Sequence, residues 1–368
     1  MSMRIALTHA FCWPEVRRGG ERYLHELAGS LARRGHSVTI IAGSRYPGLG
    51  TEEGVRVVRL PRGGHADTLR AERTFGIVAR APLLAGRYDV VHSLGIRDGV
   101  ASLVAKRTHP VRRTVYTCLG IPLRDWIERR PDRSAYLRVA NEIDVYGCLS
   151  RFAQESLLDG YGRKGALTPG GVRIKNFRPT VERAAEPTLL YSGLVDDPRK
   201  GVADLLQAVA ILARTEPRVR LWLSGPGDPG PLLEAAPKAA RERTDVLPLG
   251  TPEDQPDRYS AAWATVLPSR FEAFGLVLIE SLACGTPIVV GDHASLPELV
   301  SDETGVLGPT GDPEGLAIAC GKALALAGGS DIRERCRGVA ERHDWDAAVA
   351  PAIEALYAGA APDEAYCT

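Results

Sequence analysis

The sequence lacks several features that would assign it to a special class of protein. No run of about 18 consecutive apolar residues occurs, so no transmembrane helix is expected. The N-terminus has neither the apolar core nor the cleavage site of a signal peptide. The seven cysteines form no C-x-x-C pair and no Cys/His cluster, so neither a zinc site nor a disulfide framework is indicated. No G-x-G-x-x-G follows the first strand, which argues against a nicotinamide-dependent dehydrogenase. Scattered cysteines predict a cytoplasmic protein.

The overall composition is ordinary, but the charge is unevenly distributed. The chain has 368 residues, of which 44% are hydrophobic and 25% are charged, and this length predicts two globular domains. Residues 1–180 contain 30 Lys and Arg against 16 Asp and Glu, whereas residues 181–368 contain 16 against 29. This asymmetry predicts a positive potential over the first half, suited to an anionic acceptor or a membrane surface. An arginine-rich composition without functional meaning is the alternative.

Short strand-like segments alternate with longer helical segments along the chain. Apolar residues at helical spacing predict a helix over Glu21–Arg34, between strands over Arg4–Thr8 and Val38–Ala42. Further strands are predicted at Tyr88–His92, Arg113–Thr117, Asp144–Leu149, Thr188–Ser192, Val219–Ser224, Asp245–Leu249, Thr265–Pro268 and Pro287–Val290. Further helices are predicted at Val202–Ala213, Leu276–Ala283 and Trp345–Tyr357. Such alternation predicts an α/β protein with parallel sheets covered by helices on both faces.

Turn-forming and polar residues interrupt this alternation at residues 171–186. We therefore predict a linker there, between an N-terminal domain over residues 1–170 and a C-terminal domain over residues 187–344. Two consecutive doubly wound units predict two Rossmann-like domains that face a central cleft. Ligands of such sheets bind at the carboxyl ends of the strands, so the cleft is the expected site.

The most informative segment is residues 268–287, which read PSRFEAFGLVLIESLACGTP. Phe274–Leu276 lie at the predicted start of a helix, where free backbone N–H groups attract a phosphate. Glu272 precedes this point, and Glu280 lies roughly 7–8 Å beyond it along the helix axis. This order fits a ligand with a hydroxyl-bearing group, a phosphate bridge and a second hydroxyl-bearing group, as in a nucleotide-diphosphate sugar. An amphipathic helix with a polar start is the alternative.

Two other segments offer groups for a phosphate. Gly19 and Gly20 follow the first strand and open the first helix, so the backbone there can approach an anion closely. Arg199 and Lys200 lie between a strand and a helix, where a cation can neutralise a departing diphosphate. A plain glycine turn and a solvated lysine are the respective alternatives.

These segments together resemble the family 4 retaining glycosyltransferases (glycosyl transferases, group 1), which have the GT-B fold. The resemblance spans almost the whole chain and is strongest from Pro169 to Leu316. It implies that Glu272 contacts the donor sugar, that Glu280 contacts the nucleotide ribose and that Lys200 binds the phosphate. It implies further diphosphate contacts at Gly19, Gly20, Arg199, Phe274, Gly275 and Leu276, and base contacts at Gly225, Leu249 and Gly250. It also implies that the terminal helix, residues 345–358, joins the N-terminal domain.

Two positions depart from the family pattern. Leu194 stands where members often carry a second basic residue, and Thr117 stands where they often carry a histidine near the reacting carbon. His9 and His92 are further candidates for the acceptor side, with a structural role as the alternative. The departures leave open a different acceptor, a different donor sugar or reduced activity.

The sequence therefore predicts an enzyme that moves a sugar from a UDP-, GDP- or dTDP-sugar, with a UDP-sugar favoured, to an acceptor hydroxyl. The acceptor is a small molecule, natural product, lipid or glycan, and no nucleic acid, metal or other cofactor is expected. The pair of aspartates in Asp344–Asp346 is interpreted as part of a helix start and not as a Mg²⁺ site. The basic first half predicts peripheral contact with the inner face of the membrane. A non-catalytic nucleotide-sugar binder or partner subunit and a GT-B nucleotide-sugar epimerase stay open as alternatives.

Overall fold

The computed structural model describes residues 2–64, 69–108 and 111–362. The chain divides into two compact units: unit 1 comprises residues up to Gly171 and from Trp345 onward, and unit 2 comprises Val172–Asp344. The segment predicted as a linker, apart from its first residue, belongs to unit 2. Each unit is built around its own sheet, so the predicted pair of Rossmann-like α/β sheets is confirmed.

Unit 1 contains eight strands within the described part of the chain. They are Arg4–His9 (β1), Ser37–Ser44 (β2), Gly48–Glu52 (β3), Val55–Pro61 (β4), Val90–Ser93 (β5), Arg113–Cys118 (β6), Val145–Cys148 (β7) and Ala166–Leu167 (β8). The helices of this stretch are Gly19–Arg33 (α1), Leu69–Val78 (α2), Arg80–Ala85 (α3), Ile96–Thr108 (α4), Arg124–Glu128 (α5), Arg133–Glu142 (α6) and Arg151–Tyr161 (α7).

The strands of unit 1 form one sheet in the order β3-β4-β2-β1-β5-β6-β7-β8. All neighbours are parallel except β3 and β4, which form an antiparallel pair at one edge. The central strand β1 is buried from Ile5 to His9, as a parallel strand covered on both faces requires. The β3–β4 pair is an element that the sequence did not predict.

Unit 2 contains a second sheet of six strands, again counted over the described residues. The strands are Thr188–Ser192 (β9), Arg220–Ser224 (β10), Thr244–Val246 (β11), Ala264–Leu267 (β12), Ile288–Gly291 (β13) and Gly305–Gly308 (β14). The helices are Val202–Leu212 (α8), Gly230–Ala235 (α9), Lys238–Arg241 (α10), Gln255–Ala261 (α11), Leu276–Ala283 (α12), Pro313–Ala327 (α13) and Ile332–Glu341 (α14). Every strand pair is parallel, in the order β11-β10-β9-β12-β13-β14.

The last helix returns to unit 1 and differs from the continuous helix that was predicted. Residues Trp345–Val349 form a π-helical turn, and an α-helix follows over Ala350–Ala358 (α15). Proline near the start of α15 lacks the backbone N–H that an uninterrupted α-helix would use there. Trp345 is buried in unit 1, where its ring meets the Tyr23 ring edge-on with 5.2 Å between centroids.

No single helix among the described residues is long and apolar enough to cross a membrane. Helices α13 and α14 meet that criterion only as a pair, bent by 105°. The six cysteines in the described ranges are buried and form no disulfide, and Cys367 lies outside those ranges.

Candidate active site

The carboxyl ends of β9 and β12 bring together two charged residues of unit 2. Lys200 ends the short 3-10 turn Pro198–Lys200 that follows β9, and Glu272 lies in the loop after β12. The Nζ atom of Lys200 donates a hydrogen bond to Oε2 of Glu272, although 72 positions separate the two residues. Their side chains are 20% and 21% exposed, so both remain accessible to a ligand. The two residues to which the resemblance assigns phosphate and sugar contacts are therefore neighbours.

Helix α12 begins directly after this loop with the geometry of an anion site. Gly275 precedes the helix with φ of 95°, a left-handed conformation that favours glycine. A Cβ at this position would also lie 3.0 Å from the Leu278 side chain. Backbone N–H groups in the first turn of a helix point outward along its axis and attract negative charge. The helix start at Leu276 can thus supply phosphate ligands next to Lys200 and Glu272.

The aromatic residue beside this turn is anchored inside unit 2. Phe274 is buried, and its ring meets the His343 ring edge-on with 5.6 Å between centroids. Burial, together with the charge of Arg342, lowers the pKa of His343 to about 4, so this imidazole is neutral at pH 7. Phe274 thus anchors the turn through the packing of its ring, and the phosphate contact predicted for it stays a prediction.

Glu280 lies one turn into α12 and is only 2% exposed. The hydroxyl of Tyr259 donates a hydrogen bond of 2.9 Å to Oε2 of Glu280. Sequence reasoning missed Tyr259. The available signal was general: a buried tyrosine needs a partner for its hydroxyl group.

Arg199, predicted as a phosphate contact, is paired with a carboxylate of its own turn. Its Nη2 and Nε atoms lie 2.6 and 3.2 Å from the Asp197 carboxylate. Burial alone would raise the pKa of Asp197, but the hydrogen bonds from Arg199 hold it below its usual value. Leu194, which stands where a second basic residue was expected, is exposed. Among these residues, Lys200 therefore carries the positive charge closest to Glu272.

The predicted base contacts lie at the ends of β10 and β11. Gly225 has φ of 146°, and a Cβ there would lie 1.8 Å from the carbonyl oxygen of Gly193, so only glycine fits. Leu249 is exposed and lies beyond β11, which ends earlier than predicted. Gly250 lies against the guanidinium of Arg258, whose Cζ would be 2.8 Å from a Cβ at that position.

Arg258 links two of these segments, and sequence reasoning missed it. Its Nη1 donates to Ser224 Oγ and its Nη2 donates to the carbonyl oxygen of Pro248, both at 2.8 Å. The guanidinium thus holds the loop after β11 to the end of β10. Since β10 and β11 are parallel neighbours, the predicted base contacts that follow them lie at the same edge of the sheet.

In unit 1, the two candidate glycines form the start of α1. Gly19 is exposed and Gly20 is half-buried. A Cβ on Gly20 would lie 2.5 Å from Cδ1 of Leu119 and 3.7 Å from Nε2 of His9. Glycine at position 20 therefore makes room for the loop after β6, in addition to leaving the backbone accessible.

His9 belongs to a cluster of charged residues beside these glycines. Its Nε2 lies 3.2 Å from Oε1 of Glu21, and Nη2 of Arg18 donates to the same oxygen at 2.6 Å. Burial alone would raise the pKa of Glu21, yet the hydrogen bonds from His9 and Arg18 lower it to about 2. His9 Nδ1 is buried and has no hydrogen-bond partner within the described part of the chain.

His92 and Thr117, the other acceptor-side candidates, are completely buried. The Nδ1 atom of His92 lies 2.6 Å from the Tyr357 hydroxyl, and its Nε2 lies 2.8 Å from Oγ1 of Thr117. Thr117 also donates to Thr168 Oγ1 at 3.0 Å. Burial lowers the pKa of His92 to about 3, so the ring is neutral. This network ties α15 to β5 and β6, and acceptor contact by either residue would require its rearrangement.

The paired aspartates make structural contacts in separate units. Asp346 accepts hydrogen bonds from Ser30 at 2.6 Å and from Arg33 at 2.7 Å in unit 1. Asp344 accepts one from the backbone of Ile174 at 3.2 Å in unit 2. No group of three or more His, Cys, Asp or Glu side chains with the geometry to hold a metal occurs in residues 2–64, 69–108 and 111–362.

Comparison with known proteins covers both units. The model of Glycosyltransferase Family 4 matches residues 17–175, and that of Glycosyl transferases group 1 matches residues 186–326. The GDP-mannose-dependent alpha-(1-6)-phosphatidylinositol monomannoside mannosyltransferase of Mycolicibacterium smegmatis is 29% identical, over 89% of this chain and 90% of the relative. The D-inositol 3-phosphate glycosyltransferase of Streptomyces bingchenggensis is 31% identical, over 75% of this chain and 67% of the relative.

A solved structure agrees on the fold. The sucrose-phosphate synthase of Thermosynechococcus elongatus superposes with a TM-score of 0.80 at 23% identity, over 97% of this chain and 98% of that one. The family models that match the two halves of the chain agree with the fold. The chain therefore belongs to glycosyltransferase family 4, the group 1 glycosyl transferases, and is a glycosyltransferase with the GT-B fold.

Proposed function

We propose that the enzyme transfers a sugar from a nucleotide-diphosphate sugar to a hydroxyl of a phosphorylated inositol, with retention at the anomeric carbon. The observation that carries the donor half is the contact between Lys200 and Glu272 beside the start of α12. A cation, an anion and a helix N-terminus then lie within one small region of unit 2. These are the groups that a diphosphate and a neighbouring sugar hydroxyl require.

Donor binding exchanges the partners of this ion pair. In the free protein Lys200 and Glu272 neutralise each other. A bound diphosphate attracts the Lys200 ammonium, and the Glu272 carboxylate then accepts hydrogen bonds from the sugar hydroxyls. The side chains are partly exposed, so this exchange takes place without transferring an unpaired charge into a dry interior.

The chemical step breaks the bond between the anomeric carbon and the diphosphate oxygen. Lys200 and the first N–H groups of α12 stabilise the negative charge that develops on the leaving diphosphate. The acceptor oxygen attacks from the same face and gives its proton to a departing phosphate oxygen. Retention then follows without a covalent sugar–enzyme intermediate, and the charge stabilisation uses Lys200 and the backbone with no divalent cation.

The relatives support the choice of substrates to test. One is named as dependent on GDP-mannose and as acting on a phosphatidylinositol monomannoside, and another is named for D-inositol 3-phosphate. An excess of Lys and Arg over residues 1–180 supports a phosphate-bearing acceptor. GDP-mannose is therefore the first donor to test, next to the UDP-sugar that the sequence favours.

The test is a transfer assay with the purified full-length chain. GDP-mannose, UDP-glucose and dTDP-glucose are each supplied with D-inositol 3-phosphate or with phosphatidylinositol vesicles, and products are identified by mass spectrometry. We expect one donor to yield a glycosylated inositol whose anomeric configuration, measured by NMR, matches that of the donor. The product should form equally well in the presence of EDTA. An epimerised donor without any transfer product, or a product of inverted configuration, would overturn the proposal.

A further inference from the structure

We infer that Tyr259 is a positioning residue that orients the Glu280 carboxylate for the ribose of the donor nucleotide. The inference rests on the proposed donor site and on the ribose contact that the family resemblance implies for Glu280. Tyr259 lies on α11 and Glu280 on α12, so two separate helices build this contact.

The contact joins two buried groups with good hydrogen-bond geometry. Tyr259 is 0% exposed and Glu280 is 2% exposed, and the phenol oxygen lies 2.9 Å from Oε2 of the carboxylate. The Ser192 hydroxyl, at the end of β9, lies 3.4 Å from the same phenol oxygen. The phenol group therefore lies between the carboxylate and the end of a central strand, the edge where ligands of such sheets bind.

Packing holds Tyr259 in a single position. Its ring meets the Phe177 ring with 6.3 Å between centroids, and its carbonyl oxygen accepts a 2.7 Å hydrogen bond from Thr286 Oγ1. Thr286 follows α12 and thus fixes the backbone of α11 to the same helix that carries Glu280. The Tyr259 hydroxyl and the Glu280 carboxylate are consequently held in place by the same set of packed residues.

A glutamate side chain on a helix has several rotamers, and its terminal torsion is soft. A hydrogen bond to one carboxylate oxygen fixes the plane of the group and the direction in which it accepts further hydrogen bonds. Ribose recognition requires a fixed direction because two adjacent hydroxyls must be met at once. Without the phenol hydroxyl, nucleotide binding would have to order the carboxylate itself, which weakens binding.

We expect loss of the Tyr259 hydroxyl to weaken nucleotide binding without slowing the chemical step. Tyr259→Phe keeps the ring and removes the hydroxyl. We expect the nucleoside diphosphate Kd and the donor KM to rise about tenfold, in line with loss of a hydrogen bond to a charged group, with kcat changed by less than about twofold. The preference for a ribonucleotide over its deoxy forms should shrink by the same factor.

The experiment uses calorimetric titration of the full-length chain with the tighter-binding of GDP and UDP and with its 2′-deoxy and 3′-deoxy forms. The variants are Tyr259→Phe, Glu280→Gln and Ser281→Ala. Ser281 is the control: it is buried on the same helix, and its hydroxyl is hydrogen-bonded to Thr265 Oγ1 at 2.7 Å and to the carbonyl oxygen of Thr286 at 3.1 Å. Ser281→Ala should bind all three forms of the nucleotide as the parent protein does.

The outcomes separate this inference from the proposed function. A reduced ribose preference in Tyr259→Phe and Glu280→Gln supports both. If Glu280→Gln reduces the preference and Tyr259→Phe behaves like Ser281→Ala, the inference is wrong and the proposed donor site stands. If Glu280→Gln leaves the preference unchanged, the ribose role of Glu280 fails and the inference fails with it.

The double variant Tyr259→Phe/Glu280→Gln keeps the test decisive if the single tyrosine variant folds poorly. It leaves no buried charged carboxylate without its donor. If Tyr259 acts through Glu280, the double variant should lose no more ribose preference than Glu280→Gln alone. A further loss beyond that of Glu280→Gln would show that Tyr259 acts independently and would overturn the inference.

Discussion

The two units have similar parallel sheets but use the carboxyl ends of their strands differently. In unit 2, Lys200 and Glu272 form a charged pair with about one-fifth of each side chain exposed. In unit 1, His92 and Thr117 lie at the ends of β5 and β6, where they are completely buried and bonded to each other. A partly exposed ion pair can exchange its partner for a ligand, because water compensates the charges during the exchange. A buried neutral pair cannot do so without leaving polar groups unsatisfied.

This difference shows why polar residues at strand ends do not all mark a binding site. The same position in the same kind of sheet can hold a ligand contact or a structural hydrogen bond. Under the proposed function, partial exposure and an exchangeable charge distinguish Lys200 and Glu272 from His92 and Thr117. Three predictions test how far this distinction between the units holds, and they are arranged from the largest expected effect to the smallest.

The first prediction concerns the charge that unit 2 offers to a leaving diphosphate. Lys200→Ala should lower kcat for sugar transfer about 10²- to 10³-fold, because the developing negative charge loses its nearest cation. Arg199→Ala is the matched control, since the Arg199 guanidinium is already paired with Asp197. It should change kcat by less than about threefold. Initial rates of transfer measure both, and a larger loss in Arg199→Ala than in Lys200→Ala would contradict the assignment.

The second prediction compares Gly225, which follows β10 in unit 2, with Gly20 at the start of α1 in unit 1. Gly225→Ala should destabilise unit 2 by about 3 kcal/mol, because the new Cβ would collide with the backbone carbonyl of Gly193. Gly20→Ala should destabilise unit 1 by only about 1 kcal/mol, since it meets the flexible end of Leu119.

Denaturant-dependent hydrogen exchange reports on each unit separately and measures both effects. Adding Leu119→Ala to Gly20→Ala provides the control, because it removes the colliding atom and should recover the local stability of α1. A Gly20→Ala loss as large as that of Gly225→Ala, and not recovered by Leu119→Ala, would show that the unit 1 turn is equally constrained.

The third prediction concerns pH and the buried imidazole of unit 1. The pKa of His92 is lowered to about 3 in the folded protein, below the ordinary value of 6.5. The unfolded state therefore binds more protons below pH 6.5, and the contribution of His92 to stability declines as the pH falls toward 3. Between pH 7 and pH 5 unit 1 should lose about 2 kcal/mol from this group.

Hydrogen exchange in β5 and β6, followed from pH 7 to pH 5, measures this loss. His92→Asn removes the titrating group, so its stability should vary less with pH over this range even though it is lower at pH 7. An unchanged pH dependence in His92→Asn would assign the acid sensitivity to other groups.

Local sequence signals predicted two elements of unit 2 at the bounds that the structure shows. Strand β9 covers Thr188–Ser192 and helix α12 covers Leu276–Ala283, both as predicted. Gly275 marks the start of α12, because its left-handed conformation lies outside the helical region and the helix begins at the next residue. The pair β3–β4 was missed because residues 48–54 are rich in glycine and polar side chains and show no alternation. Its strands are fixed by pairing with each other and with β2, which a local pattern does not contain.

The site was predictable as a set of residues and not as a set of contacts. The resemblance named Lys200 and Glu272, but their meeting depends on β9 lying next to β12, a strand order that periodicity does not encode. The same limit explains why Tyr259 and Arg258 were missed, because each acts through a partner from another element. The burial of His92 depends on Tyr357, 265 positions away, and no local signal announces it.

The way the chain enters and leaves unit 2 has a consequence for the order in which the protein forms during synthesis. Val172 pairs with Asp344, and its N–H donates to the carbonyl oxygen of His343 at 2.8 Å, so the two ends of unit 2 are neighbours. Unit 2 is thus an insertion within unit 1, and the chain returns to unit 1 at Trp345. During translation, all of unit 2 is synthesised before Trp345 and Tyr357, which belong to unit 1. The part of the protein that is synthesised earliest is therefore the last to close its core.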